Sequence, residues 1–352
     1  MKALVLGSGS SGRAAKALLA SRGFEDIEEA SSLDIVVASP GVRVVSELQL
    51  GVEALKARGV KMIAVTGSKG KSSVVKLVAE ALGGVPCGNY GLPVSAVRDT
   101  EWAVVEVSSF QLETTNLAPD AFEAAAILNL QDDHLDRHGS RAAYHAVKRR
   151  LLSFAKKGFD CSAPNADALL AGSYFDNEVL RLNGAIAAAL MREAGLEDAR
   201  IREAFLSFKP LDHRMQRIAT IDGVIYIDDS KATSIAALAA GVRMAPSPVL
   251  LIAGGLPKGD NPEIALPSLT KRVKKVYTIG RCAEEFAKAW RAAVPCEVSG
   301  DMRCAVESAM RDAVKGDTVL LSPGAASFDQ FHSFEERGDV FADLVKKGKD
   351  KR

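Results

Sequence analysis

Short apolar runs alternate along the chain with stretches long enough for helices, and many runs end in glycine-rich turns. That alternation predicts parallel α/β units. Three blocks separate. The first, residues 1–58, opens with ALVLGSGSSGRAAKALLASRG, a strand, a turn and an amphipathic helix, and continues through a second apolar run, DIVVASPGV. It is expected to be a small Rossmann-like unit. The second, residues 59–212, starts on VKMIAVTG, passes WAVVEVSS and AAAILNL, and ends near FKPLDHR, where Pro210 and a broken periodicity mark a linker. The third, residues 213–352, contains GVIYIDDS, PVLLIAGG, KKVYTIG and DTVLLSPG, strand candidates that each run into a Gly-, Ser- or Asp-bearing loop. In open α/β sheets ligands bind at the carboxyl ends of strands, so chemistry is expected in those loops.

The most informative stretch is IAVTGSKGKSSVVKLVAEAL, an apolar strand that enters Gly67, Ser68, Lys69, Gly70, Lys71, Ser72 and Ser73 and then a helix. Glycines let backbone N–H groups turn inward on phosphate oxygens, Lys71 can reach β/γ-phosphates, and the Ser72 hydroxyl can ligate Mg²⁺ at the positive helix end. The plainer reading is a Gly/Ser-rich turn with exposed lysines; agreement of strand, loop and helix favours the nucleotide. Val65 stands where the longer GxxxxGKS form has its outer glycine, which points away from ordinary P-loop kinases and GTPases. The loop GSGSSG, with Gly7, Gly9 and Gly12, matches the dinucleotide fingerprint in letter. Its partner acid could come only from Glu25, Asp26, Glu28 or Glu29, none at a clear strand end. NAD therefore ranks below some other diphosphate-bearing ligand, with a bare structural turn between them.

Glu106 closes the run WAVVE, and NLQDDHLDRHG carries Asp132, Asp133, His134, Asp136 and His138. Mg²⁺ takes hard oxygen ligands and keeps several waters, so one strand-end glutamate near Ser72 suffices for a nucleotide-bound metal; a solvated strand end is the alternative. His134 and His138 lack the glutamate of a zincin motif and lie in a turn-rich segment, so a zinc protease is rejected in favour of surface or supporting histidines. In the third block DDSKATS offers Asp229, Lys231 and Thr233, GGLPKGD offers Lys258, and SPGAASFDQFHSFEERG offers Ser327 and Phe334. Each could be a polar loop alone; together they would suit a small dianionic molecule.

Composition narrows the partners. Lys and Arg number 45 against 44 Asp and Glu in 352 residues, a net charge of +1, so no global basic field exists to hold nucleic acid or an anionic membrane. Hydrophobic residues at 47% and charged residues at 25% describe an ordinary folded chain. Cys87, Cys161, Cys282, Cys296 and Cys304 are scattered without a CxxC pair, which fits reduced thiols and a cytoplasmic home. The start, running straight into a strand and a glycine loop, is not expected to be a signal peptide, and no stretch approaches the roughly 20 apolar residues of a membrane span. The final KKGKDKR reads as a solvated end.

The segments VTGSKGKSS, GNYGLP, VVEVSSFQLETT, ILNLQDDHLDRH, YHAVKRRL, LDHRMQ, YIDDSKATS, LIAGGLPKG and LLSPGAASFDQFHSFEERGDVF, in order and over nearly the whole chain, resemble the Mur ligase family. SSFQLE and SPGAASFDQF are most similar to its D-glutamate-adding branch. The resemblance implies an α/β enzyme of three domains, each a mainly parallel sheet with flanking helices: a Rossmann-like domain for the UDP end of the substrate, a central P-loop ATPase domain, and a Rossmann-like C-terminal domain for the amino acid. It implies a monomeric cytoplasmic enzyme of peptidoglycan precursor synthesis. With ATP and Mg²⁺, the enzyme would activate UDP-MurNAc-L-alanine as an acyl phosphate and join it to D-glutamate.

The same resemblance assigns roles. Lys71 would stabilise the γ-phosphate, Ser72 and Glu106 would hold a first Mg²⁺, and His134 a second. Lys148 matches a lysine that is carbamylated in the family, a change that gives an ammonium two acceptor oxygens; an exposed helix lysine is the alternative. Asn183, Arg214 and Asp229 would contact adenine, phosphates and ribose. Lys231, Thr233, Lys258, Ser327 and Phe334 would frame D-glutamate. Asn89, Ser108, Ser109 and Gln111 would face the muramoyl-alanine part, and Gly9, Ser10 and Ser11 the uridine diphosphate. The chain departs from the family at Lys69 and Ser234, each in place of an asparagine, and at Val179 and Leu180, in place of a His-Asn pair. It is also shortened after Val42 and between Lys148 and Asn183. A sister acid–amino acid ligase and a non-catalytic nucleotide-binding relic are the competing readings.

Overall fold

The computed structural model describes residues 2–7, 9–24, 26–30, 44–131 and 135–349. The run DIVVASPGV and the residues Asp132, Asp133 and His134 lie outside the described residues. The chain forms two compact units, Met1–Asp176 with Leu180–Phe208, and Asn177–Val179 with Lys209–Arg352.

In the first unit β1 (Lys2–Leu6) pairs in parallel with β2 (Asp26–Ala30). The strand beside β1 is thus DIEEA, which was not expected to be one, and Glu29 stands next to its end. The main sheet contains β3 (Lys61–Thr66), β4 (Val85–Gly88), β5 (Trp102–Glu106), β6 (Phe122–Ile127) and β7 (Ala155–Asp160) in the order β4-β5-β3-β6-β7, all parallel. Its three inner strands are almost wholly buried, as strands covered by helices on both faces must be. The edge strand β7 instead exposes Lys156 and Lys157, charges that discourage edge-to-edge pairing. Helix Glu47–Ala57 sends Leu48, Val52 and Leu55 into the core of this sheet, while Leu50 and Ala54 pack on Ala15 and Leu18 of helix Ser10–Ser21. Residues four apart on one helix thus join the core under the first helix, and their neighbours join the main core.

The second unit holds β8 (Gln216–Ile221), β9 (Val224–Asp228), β10 (Val249–Gly254), β11 (Val273–Ile279), β12 (Cys296–Gly300) and β13 (Thr318–Leu321) in the order β12-β11-β10-β13-β9-β8. Only β8 runs antiparallel, joined to β9 through Asp222 and Gly223 at φ 51° and 78°, the Asp-Gly hairpin signal. The sequence reading named none of β4, β7, β8 and β12. All five cysteines are free thiols. Among the described residues no helix is long and apolar enough to cross a membrane.

Candidate active site

In the first unit the chain leaves the neighbouring strands β3 and β6 in opposite directions, the arrangement that opens a crevice at their carboxyl ends. The loop Gly67–Gly70 occupies that end of β3 and delivers the chain into helix Lys71–Leu82. Gly70 is its N-cap at φ 82°, and a Cβ there would overlap Asn183 Nδ2, so both conformation and space demand glycine. The loop is tied to the segment after β6. Asn129 Oδ1 accepts from Lys69 N (2.9 Å), while its Nδ2 donates to Lys69 O (2.9 Å) and to Asn183 Oδ1 (3.2 Å). Ser68, buried, accepts from Gln131 N at 2.9 Å and lies 3.0 Å from Tyr144 Oη. Lys71 Nζ donates to Gly67 O (2.9 Å) and Ser68 O (3.2 Å), at the mouth of the loop. Ser72 and Ser73 begin the helix, Ser73 buried beneath it, and the Lys69 side chain is exposed.

Strand pairing sets Glu106, the last residue of β5, beside Val65 of β3. Its carboxylate is buried; Oε1 accepts from Asn89 Nδ2 at 2.8 Å, and Oε2 has no hydrogen-bond partner. A buried, unpartnered carboxylate oxygen is costly unless a cation completes it, so the residues present fit a Mg²⁺ ion. Lys148, on helix Arg141–Arg149, is buried on the same side. Its Nζ donates to Gly67 O (2.9 Å) and Thr66 Oγ1 (3.3 Å) and lies 4.9 Å from the Tyr144 ring. The exposed-lysine alternative is thereby overturned.

The segment after β5 turns into helix Ser109–Thr114 through a reciprocal cap, Ser108 Oγ accepting from Gln111 N while Gln111 Oε1 accepts from Ser108 N. Buried Ser109 lies 3.0 Å from His138 Nε2, and His138 Nδ1 lies 3.1 Å from Glu113 Oε1. Ser108, Ser109, Gln111 and Asn89 thus share one loop cluster with Glu106. His138 is a buried support rather than a surface group. Gly9, Ser10 and Ser11 lie apart from this cluster, at the N-terminus of helix Ser10–Ser21, whose Gly9 cap makes no side-chain bond.

In the second unit the loops after β9, β10 and β13 converge. Arg214 sits between two left-handed residues, His213 at φ 58° and Met215 at φ 49°. Such backbone persists only when neighbours hold it. Here His213 Nδ1 lies 2.7 Å from Asp228 Oδ2, Met215 N donates to Asp229 Oδ1 (3.2 Å), and Lys231 N donates to His213 O (3.0 Å). Asp229 Oδ2 also accepts from Ser322 Oγ at 2.9 Å. Burial pushes Asp228 above the usual carboxylate range against the pull of His213, and pushes Asp229 up to about 7.

Lys231 Nζ lies 3.7 Å from the Phe334 ring, and Lys258 Nζ donates to Thr233 Oγ1 at 3.3 Å. Burial, then the nearby Arg214 and Lys258, hold the Lys231 amine below its ordinary value. The Glu335 carboxylate acts on the same amine in the opposite sense, so Lys231 has both cations and an anion around it. Ser327 is buried in the loop after β13. The sequence reading missed Asn129, Tyr144, Asp228, Ser230 and Arg337. Asn129, Asp228 and Ser230 carried a signal, polar residues at or just beyond the end of an apolar strand.

The comparisons with known proteins agree with this geometry. The Mur ligase middle domain matches residues 65–179, and the Mur ligase glutamate ligase domain matches residues 213–324. UDP-N-acetylmuramoylalanine--D-glutamate ligase of Acidobacterium capsulatum is 33% identical, covering 98% of this chain and 96% of its own. The Chlamydia caviae protein of that name is 32% identical, covering 98% and 97%, and the Rubrobacter xylanophilus one 36%, covering 96% and 91%. Among solved structures, MurF ligase from Thermotoga maritima in complex with ADP shares the fold at TM-score 0.64 and 18% identity, covering 98% of this chain and 95% of its own. UDP-N-acetylmuramate-alanine ligase MurC from the same organism does so at 0.62 and 14%, covering 99% and 100%. The chain belongs to the Mur ligase family.

Proposed function

We propose that the chain is the ATP-dependent ligase that adds D-glutamate to UDP-N-acetylmuramoyl-L-alanine in peptidoglycan precursor synthesis. Relatives bearing that activity in their names align over almost its full length. The observation that carries the reading is the phosphate loop, locked by Asn129, beside a buried Glu106 with one unpartnered oxygen. Residues 1–58 would take the UDP end through Gly9, Ser10 and Ser11, residues 59–212 the ATP and the muramoyl-alanine part, and residues 213–352 the amino acid. A cytoplasmic home would fit the free thiols, and a monomer rests on the family resemblance alone.

ATP would bind with its phosphates on the N–H groups of Gly70–Ser73, since those of Ser68 and Lys69 are spent on Asn129, and Lys71 would turn from Gly67 O and Ser68 O to the γ-phosphate. Asn183, buried against Gly70, would contact adenine, and Arg214 and Asp229 phosphate and ribose, as the family resemblance implies. Mg²⁺, held by Ser72 and Glu106, with a second ion on His134 and carbamylated Lys148, would neutralise phosphate charge. The alanyl carboxylate, positioned by Asn89, Ser108, Ser109 and Gln111, attacks the γ-phosphorus; the bond to ADP breaks and an acyl phosphate forms. Lys231, Thr233, Lys258 and Ser327 take the two carboxylates of D-glutamate beside Phe334, leaving its amine free to attack the acyl carbon. The tetrahedral intermediate expels phosphate, the amine loses a proton to solvent, and the amide remains. The chain's contribution is orientation and charge stabilisation.

The test is phosphate release from ATP and Mg²⁺ with UDP-MurNAc-L-alanine, comparing D-glutamate with L-glutamate, L-alanine, L-lysine and no amino acid. Release only with D-glutamate is expected. Equal release with another amino acid would move the chain to a sister ligase, and no release with any would mean either an acceptor other than UDP-MurNAc-L-alanine or a non-catalytic relic.

A further inference from the structure

Arg337, one turn into helix Phe334–Lys349, is completely buried. Its neighbours in sequence, Glu335 and Glu336, give it the look of a solvated charge run. Its guanidinium spends three nitrogens on three neutral acceptors: Nε on Ser230 Oγ (2.9 Å), Nη2 on Ser230 O (2.8 Å) and Nη1 on Ala325 O (3.1 Å). Among the described residues no carboxylate lies at ion-pair distance from it. Burial pulls it down to about 10, against Asp329 and Asp228 acting from further away. Such a charge is a poor choice for stability alone, since apolar side chains of similar size commonly do as well. What a guanidinium supplies is a rigid planar fork that fixes several acceptors relative to one another.

Those acceptors belong to the loops proposed to hold the amino acid. Ser230 precedes Lys231, and its Oγ in turn donates to Phe334 O at 2.8 Å, while the Phe334 ring lies under the Lys231 amine. Ala325 adjoins Ala326, which exchanges two backbone bonds with Leu256 (2.8 and 3.0 Å) in the loop that carries Lys258. Gly338 lets the helix come this close: a Cβ there would overlap His213 Nδ1 and Asp228 Oδ2.

We propose that Arg337 is the positioning residue of the amino-acid site, tying the Ser230–Lys231 segment to the loop after β13 and so setting Lys231 against Phe334, Ser327 and Lys258. The inference rests on the assignment of those residues to D-glutamate.

The experiment is steady-state kinetics on the full chain with Arg337→Lys, Ser230→Ala and Lys231→Ala. Lysine keeps the charge but cannot span the acceptors, so Arg337→Lys is expected to raise the KM for D-glutamate about tenfold or more. The KM for ATP and kcat at saturating D-glutamate should stay within about threefold. Ser230→Ala, which removes one link, is expected to raise the same KM about threefold, and it decides the matter if Arg337→Lys does not fold. Parallel changes in every KM, or none in a folded variant, would overturn the proposal. If Lys231→Ala raises the D-glutamate KM while the Arg337 and Ser230 variants are silent, the site stands and the positioning role falls. If Lys231→Ala is silent, the site assignment fails and takes the proposal with it.

Discussion

At the ends of β3 and β5 the first unit presents oxygens: the carbonyls of Gly67 and Ser68 and the unpartnered Oε2 of Glu106, with two lysines drawn in among them. At the ends of β9, β10 and β13 the second unit presents cations, Arg214, Lys231 and Lys258, while its carboxylates Asp228 and Asp229 are turned inward to hold backbone. Both sites use the same feature of parallel sheets, strand ends that point into loops. They differ in what is left unbalanced. On the proposed assignment, the first would take a metal ion and its phosphates, while Lys231 and Lys258 of the second would take a diacid and Arg214 a phosphate. On the proposed reading, each unit supplies a different electrostatic host.

The contrast can be broken at either end. Lys71→Ala removes the cation of the phosphate loop and is expected to lower kcat by about 10³-fold or more, measured as phosphate release, with the fold intact by circular dichroism. Lys148→Ala should follow with a loss of about 10²-fold. Added formate or acetate should restore part of it by supplying carboxylate oxygens; full activity without rescue would refute the carbamate. Asn129→Ala unties Lys69 from the segment after β6 and should weaken ATP binding about tenfold in calorimetry while leaving the KM for D-glutamate unchanged.

The smallest expected change is one of stability and concerns Asp229. Its folded value, about 7, lies above the ordinary 3.8, so the folded state binds a proton more tightly. Stability therefore falls as pH rises from the ordinary value toward the folded one. The thermal midpoint should drop between about pH 4 and pH 7, and Asp229→Asn should flatten the drop, with Asp228 leaving a residual slope of the same sign.

The parts legible in the sequence are those where neighbours along the chain do the work. Strands buried on both faces, such as β5 and β10, read as unbroken apolar runs, and GSKGKSS shows its loop because glycines, lysine and helix follow one another. The edge strands β7 and β12 did not show, since half their residues face water and their letters resemble loops. Asp222-Gly223 was a readable hairpin signal that went unread. Arg337 and Tyr144 had no local signal, because their roles depend on partners about a hundred or about eighty residues away in sequence. A buried arginine and a surface one are the same letter. Burial alone separates them.

The most direct measurement is reductive trapping of the acyl phosphate with borohydride, using ATP, Mg²⁺ and UDP-MurNAc-L-alanine without D-glutamate, on the natural chain, Lys71→Ala and Lys231→Ala. The division between the two hosts predicts trapped alcohol from the natural chain and from Lys231→Ala, and none from Lys71→Ala, with Lys231→Ala failing only at amide formation. Loss of trapping in Lys231→Ala equal to that in Lys71→Ala would contradict it.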